Sequence, residues 1–392
     1  MAPRWHGVSQ ALHVEQGASL AHSRRRDSKT QRAASGKLSG KVVRMTRDKV
    51  GFLFGSLVLL LAAPVPIARF QNASAPFPSR LGTYLKDAVR LTVEEQRQLT
   101  AGEPVTKLLD SDASKEVAVF GAVWINAPIR RYADAVRDIE KFERGGGFKV
   151  TKRISSPPRP EDFAQLQLPP DDVADLRACR VDDCNLKLGE EALNRFRSQI
   201  DWNAPDPNAS ANLLMRQLAF EYAARYLKGG NDSLAVYRDN TRPTFVAKEF
   251  REMVDSMPEL TTYMPEVRKH LLEYPKSGLP GATNLLYWQE TEFGLKPTIR
   301  ISHVTVREGP ADAVVTSKML YASHYFWTGL EVRALVPDAS RGPGFWFVTV
   351  NRSRSDGLSG FTGIFVRGRV GSEVQEGTLE GLRITKRMLE AP

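Results

Sequence analysis

Histidine and cysteine are scarce in this chain: 392 residues hold six of the first and two of the second. His6, His13 and His22 fall within residues 1–44, leaving His270, His303 and His324 for the remainder. A zinc site built from His and Cys is therefore not expected, although a carboxylate-based site is not excluded. Also missing are a Gly-x-Gly-x-x-Gly loop, a Walker loop, a His-Glu-x-x-His helix and a Gly-x-Ser-x-Gly elbow. The nearest approach to an elbow is Gly357-Leu358-Ser359-Gly360-Phe361, where the second Gly comes one residue early. Arg354, Ser355 and Asp356 before it mark a polar loop, and no catalytic residue is assigned there. No cofactor is expected.

A basic surface is lacking as well, despite a formal net charge of +10. Residues 1–70 hold 12 Lys/Arg against 3 Asp/Glu, and the rest holds 43 against 42. The folded part is nearly neutral, which argues against a nucleic-acid partner. With 42% hydrophobic residues the chain can build one large or two ordinary cores.

The N-terminus carries the charge. Residues 1–44 are rich in Arg, Ser, Ala and Gly without apolar periodicity, and read as a disordered basic extension. Met45 offers an alternative start, opening Met-Thr-Arg-Asp-Lys before an apolar run from Val50 to Ala63. A short basic region followed by such a run matches a secretory signal. Residues 45–75 are therefore expected to be a signal peptide, with Ala73-Ser74-Ala75 or Pro66-Ile67-Ala68 as cleavage sites. The alternative is an uncleaved anchor from Val50 to Ala68, just long enough to span a bilayer. Arg24, Arg25 and Arg26 lie too far upstream to make a twin-arginine signal. Either reading places the rest of the chain in the periplasm or another extracytoplasmic space, attached to the membrane in the second.

Three stretches follow: 76–188 as the first part of an α+β domain, 189–281 as a helical insertion, and 282–392 as an antiparallel sheet with a closing helix. Thr92-Val93-Glu94-Glu95 is a capping box. Val117 to Ile125 reads as a strand, Pro128 as a first helical position, and Ile129, Tyr132, Ala133, Val136, Ile139 and Phe142 as one helix. Phe148 to Ile154 is a strand, and the prolines at 157, 158 and 160 an extended linker. Cys179 and Cys184 flank a four-residue turn suited to a short hairpin. In an oxidising compartment they can close a disulfide, with free thiols as the alternative. Four helices are expected in the insertion. After Pro280-Gly281, five β-branched and aromatic runs separated by turn residues predict an antiparallel meander. Leu330, Val332, Ala334 and Val336 alternate with Glu331 and Arg333, which predicts one dry and one solvated face. A helix from about Ile364 to Glu390 ends the chain.

This order resembles the helix-grip fold shared by START lipid-transfer domains and polyketide-cyclase-like proteins. The nearest local likeness is Glu116-Val-Ala-Val-Phe-Gly-Ala-Val-Trp-Ile-Asn-Ala-Pro128, a strand ending in an Ala-Pro step into a helix with Tyr132, Val136 and Ile139. The resemblance is one of architecture and carries over no catalytic residue. It implies an apolar cavity between sheet and terminal helix, and a hydrophobic small molecule or lipid as partner.

Candidate ligand-binding residues are Trp288, Arg300, His303, Tyr321, His324, Tyr325 and Phe347. Aromatics on neighbouring strands can line a cavity and offer polar tips; an ordinary aromatic core is the alternative. Alternation places Met319, Tyr321, Ser323 and Tyr325 on one face, and Leu320, Ala322, His324 and Phe326 on the other. Arg300, Arg333 and Arg352 read first as a solvated sheet face and second as a clamp for an anionic headgroup. The functional expectation is a binding or transfer protein for a hydrophobic ligand. An enzyme on the same scaffold, cyclase- or hydrolase-like, and an envelope interaction protein without a ligand are the alternatives.

Overall fold

The β-branched and aromatic runs assemble into one eight-stranded antiparallel sheet in the computed structural model. The structure describes residues 76–391 apart from 145, 146, 293–295, 311, 357 and 359, with 360–367 and 369 as backbone only. The expected leader, 1–75, lies outside the described residues. In chain order the elements are α1 (Ser79–Asp87), α2 (Val93–Thr100), β1 (Val105–Leu108), β2 (Glu116–Ile125), α3 (Ile129–Arg137), α4 (Ile139–Phe142) and β3 (Phe148–Ile154). Helices α5 (Pro170–Ala178), α6 (Glu190–Gln199) and α7 (Pro207–Gly229) come next, then the short strands β4 (Val236–Tyr237) and β5 (Thr244–Phe245). Helices α8 (Val246–Asp255) and α9 (Pro265–Glu273) precede the meander β6 (Ala282–Thr291), β7 (Thr298–Glu308), β8 (Ala313–Ala322), β9 (Phe326–Pro337) and β10 (Phe345–Ser355), and α10 (Gly360–Glu390) closes the chain. The large sheet runs β1-β2-β10-β9-β8-β7-β6-β3.

Local chemistry explains several boundaries. Thr92 and Glu95 form the expected reciprocal capping box of α2. Asp206 caps α7 by accepting from the Ala209 amide, and Gly230, at φ 58°, ends it. A Cβ on Gly230 would lie 1.6 Å from the Tyr274 carbonyl oxygen, so no other residue fits there. Pro128 is the cap of α3 rather than its first residue, and the expected single helix breaks at Asp138. Pro160 is not extended linker but opens a 3-10 turn, Pro160–Phe163, which buries Phe163 completely.

Both faces of the sheet are covered. On one, Val123, Ile125, Phe345 and Phe347 pack with Tyr132 and Val136 of α3, and with Leu382 and Leu389 of α10. Gly121 permits the close approach of α10, since a Cβ there would meet Thr378 at 2.9 Å and Leu382 at 3.0 Å. On the other, Phe120, Trp346, Val332 and Val350 pack with α1, α8 and α9, while Leu286, Trp288, Ile301 and Tyr321 pack with α5, α6 and α7.

The expectation of a solvated face therefore fails. Glu331 and Arg333 are buried under the α3–α4 layer, where Arg333 Nε donates to Glu331 Oε1 at 2.7 Å and Thr349 Oγ1 donates to the same oxygen at 3.1 Å. Arg300 and Arg352 are buried too. Alternation separates two faces; it does not say that the polar one is wet. No described helix is long and apolar enough to cross a membrane.

Candidate functional site

Three tyrosines build a hollow on the helical side. Tyr222 projects from α7, Tyr237 from β4 and Tyr321 from β8, and the Tyr321 ring lies edge-on to the other two at 6.2 Å each. Around them Leu188, Met215, Leu218, Leu234 and Ile301 enclose a cavity of about 290 Å³. The Tyr222 hydroxyl donates to the Leu320 carbonyl at 2.7 Å, and the Tyr237 hydroxyl accepts from the Ala322 amide at 3.4 Å. Among the described residues the buried Tyr321 hydroxyl has no hydrogen-bond partner. Burial raises all three phenols above their ordinary range, so they stay protonated at neutral pH. At the rim Arg225 faces Glu191 at 3.8 Å and Glu190 accepts from Arg238 at 2.8 Å. Among the described residues the walls hold no imidazole, thiol or lysine. Such a hollow can hold a ligand and orient a polar group on it.

Tyr321 reached the helical side through a β-bulge. The register between β7 and β8 shifts between Ile301 and Ser302, and Leu320 and Tyr321 both pack into the core beneath α5–α7. The expected alternation breaks here. The run expected from Ala313 to Phe326 is also two strands: β8 stops at Ala322, and Tyr325 takes φ 62° in the turn before β9.

The other candidates are dispersed. Trp288 is a core residue whose Nε1 donates to the Asp162 carbonyl at 2.8 Å. The Tyr325 hydroxyl accepts from the Lys296 amide at 3.1 Å. His324 sits in the same turn, its Nε2 2.9 Å from Asp172 Oδ2 and its Nδ1 donating to the Asn185 carbonyl at 3.2 Å. With acceptors at both ring nitrogens, His324 fastens α5 to the sheet. Phe347 lies on the opposite face against Tyr132, with ring centroids 5.0 Å apart. Arg300 shares that face and donates to Gln289 Oε1; burial lowers its pKa. Between Arg300, Glu331, Asn351 and Ser353 remains a polar space of about 20 Å³. That is room for roughly one water.

His303 belongs to a second polar cluster, sealed inside the helical side. Its Nδ1 lies 2.9 Å from the Tyr226 hydroxyl and its Nε2 2.9 Å from Asn284 Oδ1. An amide oxygen accepts only, so Nε2 carries the proton and Nδ1 accepts from Tyr226. Lys318 Nζ is 3.4 Å from the same hydroxyl, donates to Asn231 Oδ1 and rests 4.2 Å from the Phe250 ring centre. Burial lowers the His303 pKa, helped by Lys318 and His270, and burial lowers that of Lys318. Sequence reasoning missed Lys318, although alternation with Val314, Thr316 and Leu320 already placed it on an inward face. It also missed Tyr222 and Tyr226, which lie four residues apart on α7.

Cys179 and Cys184 lie at disulfide distance, with Cα atoms 4.5 Å apart and Arg180 and Asp183 bridged between them. Compared with protein-family models, curated proteins and solved structures, the chain finds no match in any of the three.

Proposed function

We propose that this chain is an exported binding or transfer protein for a compact hydrophobic ligand, held in the Tyr321 hollow. The observation that carries the reading is a Tyr321 hydroxyl without a partner among the described residues, in a largely apolar cavity of about 290 Å³. An unsatisfied buried hydroxyl costs about 1–3 kcal/mol, and a ligand with one polar group would remove that cost. The volume sits at the lower end of small-molecule sites, which favours a molecule of one or two rings or a short acyl chain over a whole phospholipid.

The scaffold is read as helix-grip. Strand β2 pairs with the last strand of the meander, and α10 crosses β2, which supports that reading. Helices α6–α9 then form the helical insertion, and the ligand lies beneath it rather than under the terminal helix. Export is supported by the cysteine pair at disulfide distance and by the leader sequence.

Native mass spectrometry of protein purified from the extracytoplasmic fraction tests the proposal. A small hydrophobic adduct is expected on the wild type and not on Ala219→Trp, which fills the hollow. An adduct retained by the folded filled variant would place the ligand elsewhere.

A further inference from the structure

Glu259 opens the single turn of π-helix at Glu259–Tyr263 and is only 5% exposed. Its Oε1 accepts from the Tyr84 hydroxyl at 2.8 Å, while its Oε2 has no partner among the described residues. That carboxyl group lines a separate hollow of about 230 Å³, walled by Leu81, Val314, Val332, Val348 and Val350. The hollow shares no residue with the Tyr321 cavity. Tyr84 and Tyr263 also line it, their rings edge to face at 5.2 Å. Arg80, the one Lys or Arg of the lining among the described residues, donates to the Tyr263 carbonyl, and Asp312 is held by Arg307 at 3.1 Å.

We infer that this second hollow binds a hydrophobic organic ammonium ion, an amine carrying an aryl or short alkyl tail. A half-satisfied carboxylate in an apolar site requires a donor, and a cation satisfies both its hydrogen-bonding capacity and its charge. Two tyrosine rings beside it add the attraction of aromatic faces for a cation. The apolar wall takes the tail. π-Helical turns are frequent at functional sites, and here the turn brings Glu259 and Tyr263 to the same hollow.

Calorimetric titration of the full chain with phenethylammonium, 2-phenylethanol and 3-phenylpropanoate, matched in tail and different in head, tests the inference. Phenethylammonium should saturate one site, the alcohol should bind about tenfold more weakly, and the carboxylate should not bind. Glu259→Gln, which preserves an acceptor for Tyr84, should lower the ammonium affinity about tenfold and leave the alcohol within about twofold. Equal affinity for the three heads, no binding of the ammonium, or an unchanged affinity in a folded Glu259→Gln variant would each overturn it. Should that variant not fold, the wild-type head-group series decides alone. A Tyr321→Phe variant should bind phenethylammonium as the wild type does, which separates this site from the first.

Discussion

Lys318 and His303 are cross-strand partners on β8 and β7, and the Tyr226 hydroxyl of α7 lies between their side chains. The donors run one way along this chain: ammonium or amine to phenol, phenol to imidazole, imidazole to the Asn284 amide oxygen. Among the described residues no carboxylate pairs with Lys318, so its charged form is opposed by burial and helped by neutral acceptors and the Phe250 and Tyr226 rings.

That arrangement predicts a pH dependence. The folded pKa of Lys318 is well below its ordinary 10.5. Between those two values the unfolded chain holds a proton that the folded chain lacks, so stability falls as pH falls from 10.5. Lys318→Met removes this dependence. The wild-type stability minus that of the variant should climb toward pH 10.5 with a slope reaching about 1 kcal/mol per pH unit. Urea denaturation at a series of pH values measures it, and a flat difference would mean that Lys318 titrates normally in the fold.

His303 gives a spectroscopic counterpart. Burial, Lys318 and His270 together hold its pKa well below the ordinary 6.5. Nitrogen-detected NMR at pH 5.5 should find it neutral and protonated at Nε2. A ring protonated at both nitrogens at that pH would break the proposed direction of the donor chain.

Glu116 binds two guanidinium groups on the helical face: Arg352 Nη1 at 2.8 Å and Arg354 Nε at 2.8 Å. Both arginines are buried. Removing the shared carboxylate leaves two buried cations short of a counter-ion, so Glu116→Ala should cost about 3–5 kcal/mol. Arg354 retains Glu249 at 2.8 Å and Glu252 at 3.1 Å, so Arg354→Lys should cost less. Chemical denaturation of the two variants gives the ranking, and equal losses would contradict it.

The cysteine pair tests location together with structure. Thiol labelling of exported protein, denatured without reductant, should find no free cysteine. Cys184→Ser should lower stability by about 2 kcal/mol, because the closed loop is short. Two reactive thiols would remove the main structural support for an oxidising compartment.

Much of the architecture could be read from the chain because it depends on local chemistry. Thr92 and Glu95, the Gly- and Pro-rich turns at 307–310 and 341–344, and the β-branched runs each act within a few residues of themselves. The hollows could not be read in the same way. The Tyr321 cavity depends on how α6, α7 and β4 fold back on the sheet, and on a bulge that moves Tyr321 across faces. A shift of one residue reverses every alternation-based assignment beyond it. Glu259 gave no periodic signal at all, since a π-turn lies outside the helical spacing that periodicity detects. Glu331 and Arg333 were visible as a polar face, yet their burial depends on α3, α4 and α10 covering that face.

The most direct test compares wild type with Tyr321→Phe in two assays, stability without ligand and binding of 1-naphthol followed by fluorescence. Among the described residues the Tyr321 hydroxyl has no partner, so losing it should leave stability unchanged or raise it by about 1 kcal/mol. The same change should weaken naphthol binding about tenfold, because the ligand hydroxyl loses its contact with the Tyr321 hydroxyl. A loss of stability with unchanged naphthol affinity, or no saturable binding to the wild type, would contradict the ligand-binding account.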